Sequence, residues 1–561
     1  MNNAEVAGIL NNIAILLEMQ DVPFKPVAYR RAALTITSLD TDLSKIKDLD
    51  SLPNIGIHIA KKINELLTTG KLDYYEKLKK KVPVNIEELI TVPGMGPKTI
   101  LKLYKELKIK NKKDLEEAAL KQKIRNIKGL GAVMEQKILS HIQLEKKEEK
   151  RTFLIEGLDT SDEIITTLKK SNLVETGIAA GSIRRMKETI GDIDILCTSK
   201  KPKELMDVFT KMSVVKEVIS KGETKSSIRT NKGLQVDVRV VKQSEFGSAL
   251  QYFTGSKEHN VEVRKIAISK GFKLSEYGLF KNDKLIAGKT EDEVYKALGM
   301  DYIPPELREN TGEIDLAIRH ALPILVEQSD IRGDLHVHSK FSDGLTSIEE
   351  IANYCKDVLK YEYIGLCDHF GGLKIANAMN EKDAAKRLKE INDLNSTYSG
   401  FKIINGAEVD IKPDGKLGVN NNALSKFDFV TASVHSSFNL SIDDMTNRLI
   451  NALKNEKVSL LGHPTCREIF GRKPILFNED KVFEAAVKYN KPLEINAFFN
   501  RMDLNDMMTS RAKKRGVTFC IDTDSHAIKH LDYIRLGLGI ARRAGLTKKD
   551  ILNTKEVSKI L

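Results

Sequence analysis

Tryptophan is absent from this 561-residue chain, and aromatic residues make up only 6% of it. That scarcity limits the ring surfaces available for stacking on bases. Cysteine is sparse too. The five residues, at 197, 355, 367, 466 and 520, form no CxxC and no paired spacing. This argues against a disulfide framework or a cysteine-type zinc site and fits a reducing compartment. No run of 18 apolar residues occurs, so no membrane span is expected. The opening MNNAEVAGILNNIAILLEMQ lacks a basic flank and a small-residue cleavage site, and reads as an amphipathic helix, not a signal.

What is present is charge and enough apolar residues for several cores. Charged residues are 30% and apolar residues 41% of the chain, and the net charge is +12. Nine of those twelve charges fall in residues 1–320. Such an excess suggests a polyanionic partner. The length calls for three to five compact units. Residues 1–80 read as all-helical, and 84–150 as short helices ending in the charged run EKKEEKR at 145–151, a solvated helix or linker. From 152, strand-like runs VETGIAAGSI, IGDIDILC and LQVDVRVV alternate with helices. A further unit follows to about 316, and 317–331 bridges to the last block. There, seven strand-like segments recur: RGDLHVHS, YEYIGLCDH, FKIINGAEVD, FDFVTASVH, VSLLGHP, KPLEINA and GVTFCIDTDS. Helical stretches lie between them, which predicts a parallel barrel.

One local pattern recurs three times: LPNIGIHIAKKI (52–63), VPGMGPKTILKL (92–103) and IKGLGAVMEQKI (127–138). Each places a tight glycine turn before a helix, where backbone N–H groups and the helix dipole favour a phosphate. The pattern resembles the helix-hairpin-helix motif, which grips DNA backbone and not bases. Gly56, Gly94, Gly96, Gly129, Gly131 and Lys98 are its candidate DNA contacts.

The densest chemical signal in the first half is GSIRRMKETIGDIDIL, 181–196. Asp192 and Asp194 are two apart in a strand, so both carboxylates share one face and Ile193 and Ile195 the other. Asp237 stands opposite Val236, Val238 and Val240 in LQVDVRVV. Three neighbouring carboxylates repel unless cations neutralise them, and hard oxygen ligands suit Mg²⁺ or Mn²⁺. Gly181 and Ser182 lie on a turn that a triphosphate can approach, and Arg185 adds charge for its phosphates.

These residues resemble family X DNA polymerases, the family of DNA polymerase beta. Gly181, Ser182, Arg185, Gly191, Asp192 and Asp194 match its GS..R......GDxD pattern, and Asp237 its third catalytic aspartate. YFTGSKEHN, 252–260, resembles its thumb motif. The resemblance implies that Tyr252, Phe253, Gly255 and Asn260 line the incoming dNTP, and that Arg264, Glu276 and Tyr277 face the template. Lys257 replaces an acidic residue. The first helices resemble the family's lyase domain. This implies that Lys62 is the Schiff-base lysine and that Lys25, Tyr29 and Lys71 hold a 5′-phosphate. Phe24 and His58 depart from the expected His and Lys. The implied units are a lyase-like domain 1–82, a fingers-type domain 83–150, a palm 151–250, a thumb 251–316, a linker 317–331 and a last domain 332–561.

In that last domain His336 and His338 share one strand face, a chelating spacing. Asp343, His369, Glu408, His435, His463, Asp524 and His526 follow at or near successive strand ends, where barrel enzymes place their chemistry. This set resembles the PHP (polymerase and histidinol phosphatase) domain. All nine of its ligand positions are filled, which implies a distorted seven-repeat barrel, three Mn²⁺ or Zn²⁺ ions and 3′→5′ exonuclease or 3′-end processing activity, with cleavage at abasic sites as a further activity. Asp334, Asp368 and Asp522 are candidate supports for those ligands. The expected enzyme is a gap-filling polymerase and nuclease of base excision repair. It acts as a cytoplasmic, nucleoid-associated monomer on gapped or nicked DNA. The competing readings are a template-independent nucleotidyltransferase fused to a small-molecule phosphatase, and a DNA-end scaffold with inactive sites.

Overall fold

The structure, a computed structural model, describes residues 3–37, 43, 46, 48–90, 92, 94–149, 151–371 and 377–561. It divides into two compact units, Met1–Lys150 and Arg151–Leu561. Among the described residues, no helix is long and apolar enough to cross a membrane.

The first unit is helical. Helices Asn3–Met19, Lys25–Thr37, Ile57–Thr69, Asp73–Lys81, Pro97–Leu107, Lys112–Leu120 and Gly131–Glu149 enclose one core that includes Leu10, Ile13, Ile63, Leu66, Ile100 and Ile138. The three repeated turns share one geometry. The first residue of each triplet has a left-handed backbone: Asn54 (φ +62°), Gly94 (+84°) and Gly129 (+89°). Asparagine tolerates that conformation better than most side chains. The middle residue anchors the turn: Ile55 and Met95 are buried and Leu130 packs on the same core. Gly56 and Gly96 then cap their helices, and Gly131 opens the third. The run 145–151 continues the third helix to Glu149; the side chains of its residues up to 150 lie outside the described residues.

The second unit begins with a five-stranded sheet in the order Thr176–Ala179, Asp192–Thr198, Gln235–Val240, Lys225–Thr230, Val215–Lys221. Its central pair, Asp192–Thr198 with Gln235–Val240, is parallel; the other pairs are antiparallel. Ile193, Ile195, Val236 and Val238 bury one face, each worth roughly 1.5–3 kcal/mol of burial. A three-stranded antiparallel sheet with the helices Phe246–Thr254, Lys257–Ser269 and Glu291–Ala297 follows. Its core centres on Val263, Leu279, Val294 and Tyr295.

The last block forms seven parallel strands in sequence order: Gly333–Val337, Tyr363–Leu366, Lys402–Asp410, Phe429–Ser433, Leu460–Leu461, Leu493–Asn496 and Phe519–Asp522. All seven segments expected from the sequence are present. The first and last strands meet through a Val337–Ser525 bridge, and the His338 N–H donates to the Ser525 carbonyl at 2.8 Å. The ring is therefore nearly closed. Both faces of these strands are covered, which accounts for their continuous apolar runs. Within 317–331, Ala317 and Leu322 still pack on the preceding core, and the chain reaches the barrel only further on. Leu325 and Val326 are buried, and the Val326 N–H donates to the Leu546 carbonyl.

Candidate active sites

In the five-stranded sheet, parallel register pairs Asp194 directly with Asp237. Asp192 precedes them at the open end of the strand and is exposed. Burial raises the Asp194 carboxyl, and repulsion from Asp192 and Asp237 raises it further, to about 6. Lys225 lies 3.3 Å from Asp237 and the Gln235 amide donates to it at 3.1 Å. This is a site short of positive charge, and divalent cations would supply it.

Gly181 opens the short helix Gly181–Arg184 with φ +63°. A Cβ there would stand 3.3 Å from an Asp194 carboxylate oxygen, so glycine keeps the approach open. The Ala180 N–H donates to the Asp194 carbonyl at 2.7 Å, fixing this turn against the aspartate strand. Ser182 is half-buried on the same turn and Gly191 directly precedes Asp192.

The two arginines after this turn separate in role. Arg184, which the sequence reading left unassigned, clamps the buried Glu291 at 2.6 Å from one side while Arg308 does so at 2.6 Å from the other. Burial would raise the Glu291 carboxyl, but the two guanidinium groups hold it below its ordinary value. Arg185 is not free to meet a phosphate as the chain stands. It donates to the Thr254 carbonyl and lies 3.1 Å from Glu309. The barrel's Arg543 also reaches Glu309, at 3.0 Å, and donates to the Arg185 carbonyl at 2.8 Å.

Tyr252 and Phe253 meet edge to face, 5.1 Å apart, on the helix Phe246–Thr254, and Arg239 lies over the Phe253 ring. Gly255 follows with φ +70°, within reach of the Arg185 guanidinium. Asn260 is held in place: its amide donates to the Tyr252 carbonyl and accepts from Gln251, both at 2.7 Å. Arg264 and Tyr277 are exposed. The resemblance offered Asn260 as a base-facing residue; its engagement within the chain was not visible in the sequence.

In the helical unit, Lys62 projects over the Tyr74 ring, 4.9 Å from its centroid, and Tyr29 stacks on Tyr74. Partial burial lowers the Lys62 ammonium pKa; Lys25 lowers it further, against Glu65. That is the direction a Schiff-base lysine needs. Tyr29 is buried, while Lys25, Lys71, Lys98 and His58 are exposed. Phe24 is 90% exposed.

The barrel assembles all nine of its candidate ligands at one mouth. Ligand atoms of His338, Asp343, His369 and His526 lie within 4.8 Å of one another. So do those of His336, His338 and Asp524, and those of His369, Glu408 and His435. His463 Nε2 is 3.1 Å from Glu408. His463 and Asp524 sit at strand ends with positive φ (+23° and +52°), strained geometries of the kind that cluster at functional sites. Burial lowers His338 to about 4, with His526 adding to the effect; burial and Arg501 do the same to His463. Burial opposes charge on His435 and His526 as well, yet neighbouring carboxylates lift both to about 9. Glu408 would be raised by burial, but His369 and His435 hold it well below the carboxylate range. Among the described residues, His336 Nε2, both ring nitrogens of His338, one Asp343 oxygen, His435 Nδ1 and His463 Nδ1 are buried without a hydrogen-bond partner. Orphaned nitrogens and oxygens converging in this way fit metal ions.

A supporting layer orients them. Asp368 accepts from Ser339 and Ser342 and pairs with the buried Arg387 at 2.8 Å. Asp334 accepts from Thr523 and from the His336 N–H, and Asp522 from the Leu335 N–H. The sequence reading missed Glu494, 2.6 Å from His336 Nδ1, and Asp410, which accepts from the His435 N–H. Glu494 lies in the apolar run PLEINA. A charged residue there was the available signal.

Fold and sites together define a metal-dependent phosphoryl-transfer enzyme with two separate centres. Four family models match. They are a helix-hairpin-helix domain at residues 1–72, a SAM-like helix-hairpin-helix tandem at 86–144, the DNA polymerase beta thumb at 249–309 and the PHP domain at 334–496. The chain is 36% identical over 566 residues to "DNA polymerase/3′-5′ exonuclease PolX" of Bacillus subtilis (strain 168), covering 100% of this chain and 99% of that one. It is 26% identical over 341 residues to DNA polymerase lambda of Rattus norvegicus, across 55% of this chain and 56% of the relative. It is also 32% identical over 177 residues to a probable phosphatase of Thermoanaerobacter sp. (strain X514), across 30% and 69%. The chain belongs to the family X DNA polymerases that carry a C-terminal PHP domain.

Proposed function

We infer that this chain is a DNA-directed DNA polymerase that fills gaps in base excision repair and trims or processes 3′ ends with its barrel. The observation that carries this reading is the presence, in one chain alignable end to end with PolX, of both an aspartate triad and a buried histidine–carboxylate cluster. Asp192, Asp194 and Asp237 would hold Mg²⁺ or Mn²⁺. The nine barrel side chains would hold three Mn²⁺ or Zn²⁺ ions. Such cations supply Lewis-acid polarisation of phosphoryl oxygens and a more acidic bound water or hydroxyl.

The chain's own groups do the rest. The Gly181 turn admits a triphosphate, and Arg185 exchanges Glu309 for its charge. Tyr252, Phe253 and Gly255 shape the sugar pocket, with Asn260 at the base edge. Gly191, directly before Asp192, borders the nucleotide site. Arg501, 3.6 Å from Asp524, offers the barrel mouth a cation for the scissile phosphate. In the helical unit the turns at Gly56, Gly94, Gly96, Gly129 and Gly131, with Lys98, grip the DNA backbone. Lys25, Tyr29 and Lys71 take a 5′-phosphate beside Lys62. Arg264 and Tyr277 face the template. The domain limits proposed are 1–82, 83–150, 151–250, 251–316, 317–331 and 332–561. The enzyme acts as a monomer in the nucleoid-bearing cytoplasm, and the barrel also cleaves at abasic sites.

The test is extension of a primer across a one-nucleotide gap, with and without a template base, alongside degradation of a labelled 3′ end. Template-dependent extension and 3′ degradation are expected. Equal incorporation without template points to the template-independent reading. A barrel that hydrolyses small phosphomonoesters and spares DNA points to the phosphatase reading.

A further inference from the structure

A chain with no tryptophan, 14 tyrosines and 19 phenylalanines nevertheless gathers a connected set of rings beside one metal-competent site. Phe498 lies 6.5 Å from the ring of His526, 5.0 Å from His530 and 5.7 Å from Tyr533. Tyr533 meets Phe499 at 5.7 Å, and His530 stacks on Tyr533 at 5.3 Å. Phe499 then meets Phe153 at 5.0 Å, and Phe153 meets Phe470 at 5.1 Å. Phe498, Phe499, His530 and Tyr533 are only partly covered, and Phe470 is 54% exposed.

The ring cluster is tied rigidly to the ligand set. Asn496, at the end of its strand, donates to Asp524 at 3.1 Å and accepts from the Phe498 N–H at 2.9 Å. Three residues on, Arg501 approaches the same aspartate. One short segment thus offers two rings and a guanidinium at the barrel mouth. Interleaved rings and cations are how proteins hold a nucleic-acid strand without reading its sequence.

We propose that Phe498, with His530 and Tyr533, forms a base-stacking subsite that seats an unpaired nucleobase of the DNA strand whose 3′ end enters the barrel. The proposal rests on the nuclease reading above. It adds that the ring cluster, and not the phosphate contacts alone, positions the strand. A purely structural role would have these rings only brace His526.

The two roles separate in a substrate–variant cycle on the full-length, Mn²⁺-supplied protein. Wild type and Phe498→Leu are compared on a single-stranded oligonucleotide ending in thymidines and on one of the same length whose last three nucleotides carry the saturated, non-planar base dihydrothymine. Stacking is worth roughly 1–3 kcal/mol per base, so the variant should lose about tenfold in kcat/KM on the planar-base strand, and wild type on the saturated-base strand should lose as much. The variant should lose little more when both changes are combined. Tyr533→Leu should repeat the pattern more weakly. Equal losses by the variant on both strands would mean that the ring only braces the ligand, and no loss on either would remove the subsite. Both results overturn the proposal. A wild-type protein that degrades neither strand while extending primers would instead overturn the nuclease reading, and the subsite with it.

Discussion

In the palm, three carboxylates stand on an open sheet face with one lysine beside them. In the barrel, imidazoles and carboxylates alternate in a buried pocket. The palm aspartates are not drawn within 4.8 Å of one another as the barrel ligands are, and Asp194 meets their repulsion by a raised pKa. The barrel resolves the same problem internally: His435 and His526 are pushed toward the charged form while Glu408 and Asp524 are held ionised. An all-carboxylate site needs cations to offset its own repulsion. A mixed site is neutralised by protons until metals displace them.

The sharpest break of this comparison is by single-site loss. Asp194→Asn should cut primer extension by at least about a thousandfold, since losing cation stabilisation costs several kcal/mol, while nuclease activity on a 3′ end stays within a fewfold. His338→Ala should do the reverse. Loss of both activities in either variant would mean that the centres are coupled or the fold is lost, which circular dichroism distinguishes.

Metal uptake should differ in proton release. At pH 7.5, His435 and His526 lie below their pKa of about 9 and are protonated, whereas Asp194, at about 6, is already ionised. Burial opposes charge on His336 too, yet Glu494 and Glu408 lift it well above its ordinary value. Because imidazole must be neutral to bind a metal, Mn²⁺ binding at the barrel should release about three protons and binding at the palm almost none. Its apparent affinity at the barrel should therefore rise as pH climbs toward 9. Calorimetry in buffers of different ionisation enthalpy, with Asp194→Asn isolating the barrel, reads this directly.

The sheet that carries the aspartates and the barrel also touch through Glu309, which Arg185 and Arg543 share. Arg543→Ala should leave Arg185 bound more tightly to Glu309 and raise the KM for dNTP about fivefold, equivalent to roughly 1 kcal/mol. A change in nuclease rate without a change in dNTP KM would contradict this link. A smaller effect is expected from acid. Glu291 is held ionised by Arg184 and Arg308, so its contribution is complete above the ordinary carboxylate pKa of about 4.3 and fades as pH falls through its depressed value. The thermal midpoint should decline across that window, and Glu291→Gln should be less stable at neutral pH but flatter in acid.

Much of this was readable before any coordinates. Period-two alternation put Asp192 and Asp194 on one face, and seven apolar runs, six of them ending in or near a His, Asp or Glu, announced the barrel. Local geometry suffices there, because a strand's side-chain direction depends on its own backbone alone. The turns at Gly94 and Gly129 were equally local. The left-handed Asn54 that completes their pattern was visible only as a departure from glycine.

Contacts between distant segments were decided by tertiary structure. The sequence offered Arg184 and Arg185 as neighbours, but only packing sent the first to Glu291 and the second to Glu309, 107 and 124 residues away. Glu494 was hidden in an apolar run until His336 closed on it across 158 residues. Five scattered aromatics and a histidine became a ring cluster because barrel closure brought residues 498–533 to Phe153. Charge balance in a low-dielectric site is a sum over everything that packs there, and that sum exists only once the chain has folded.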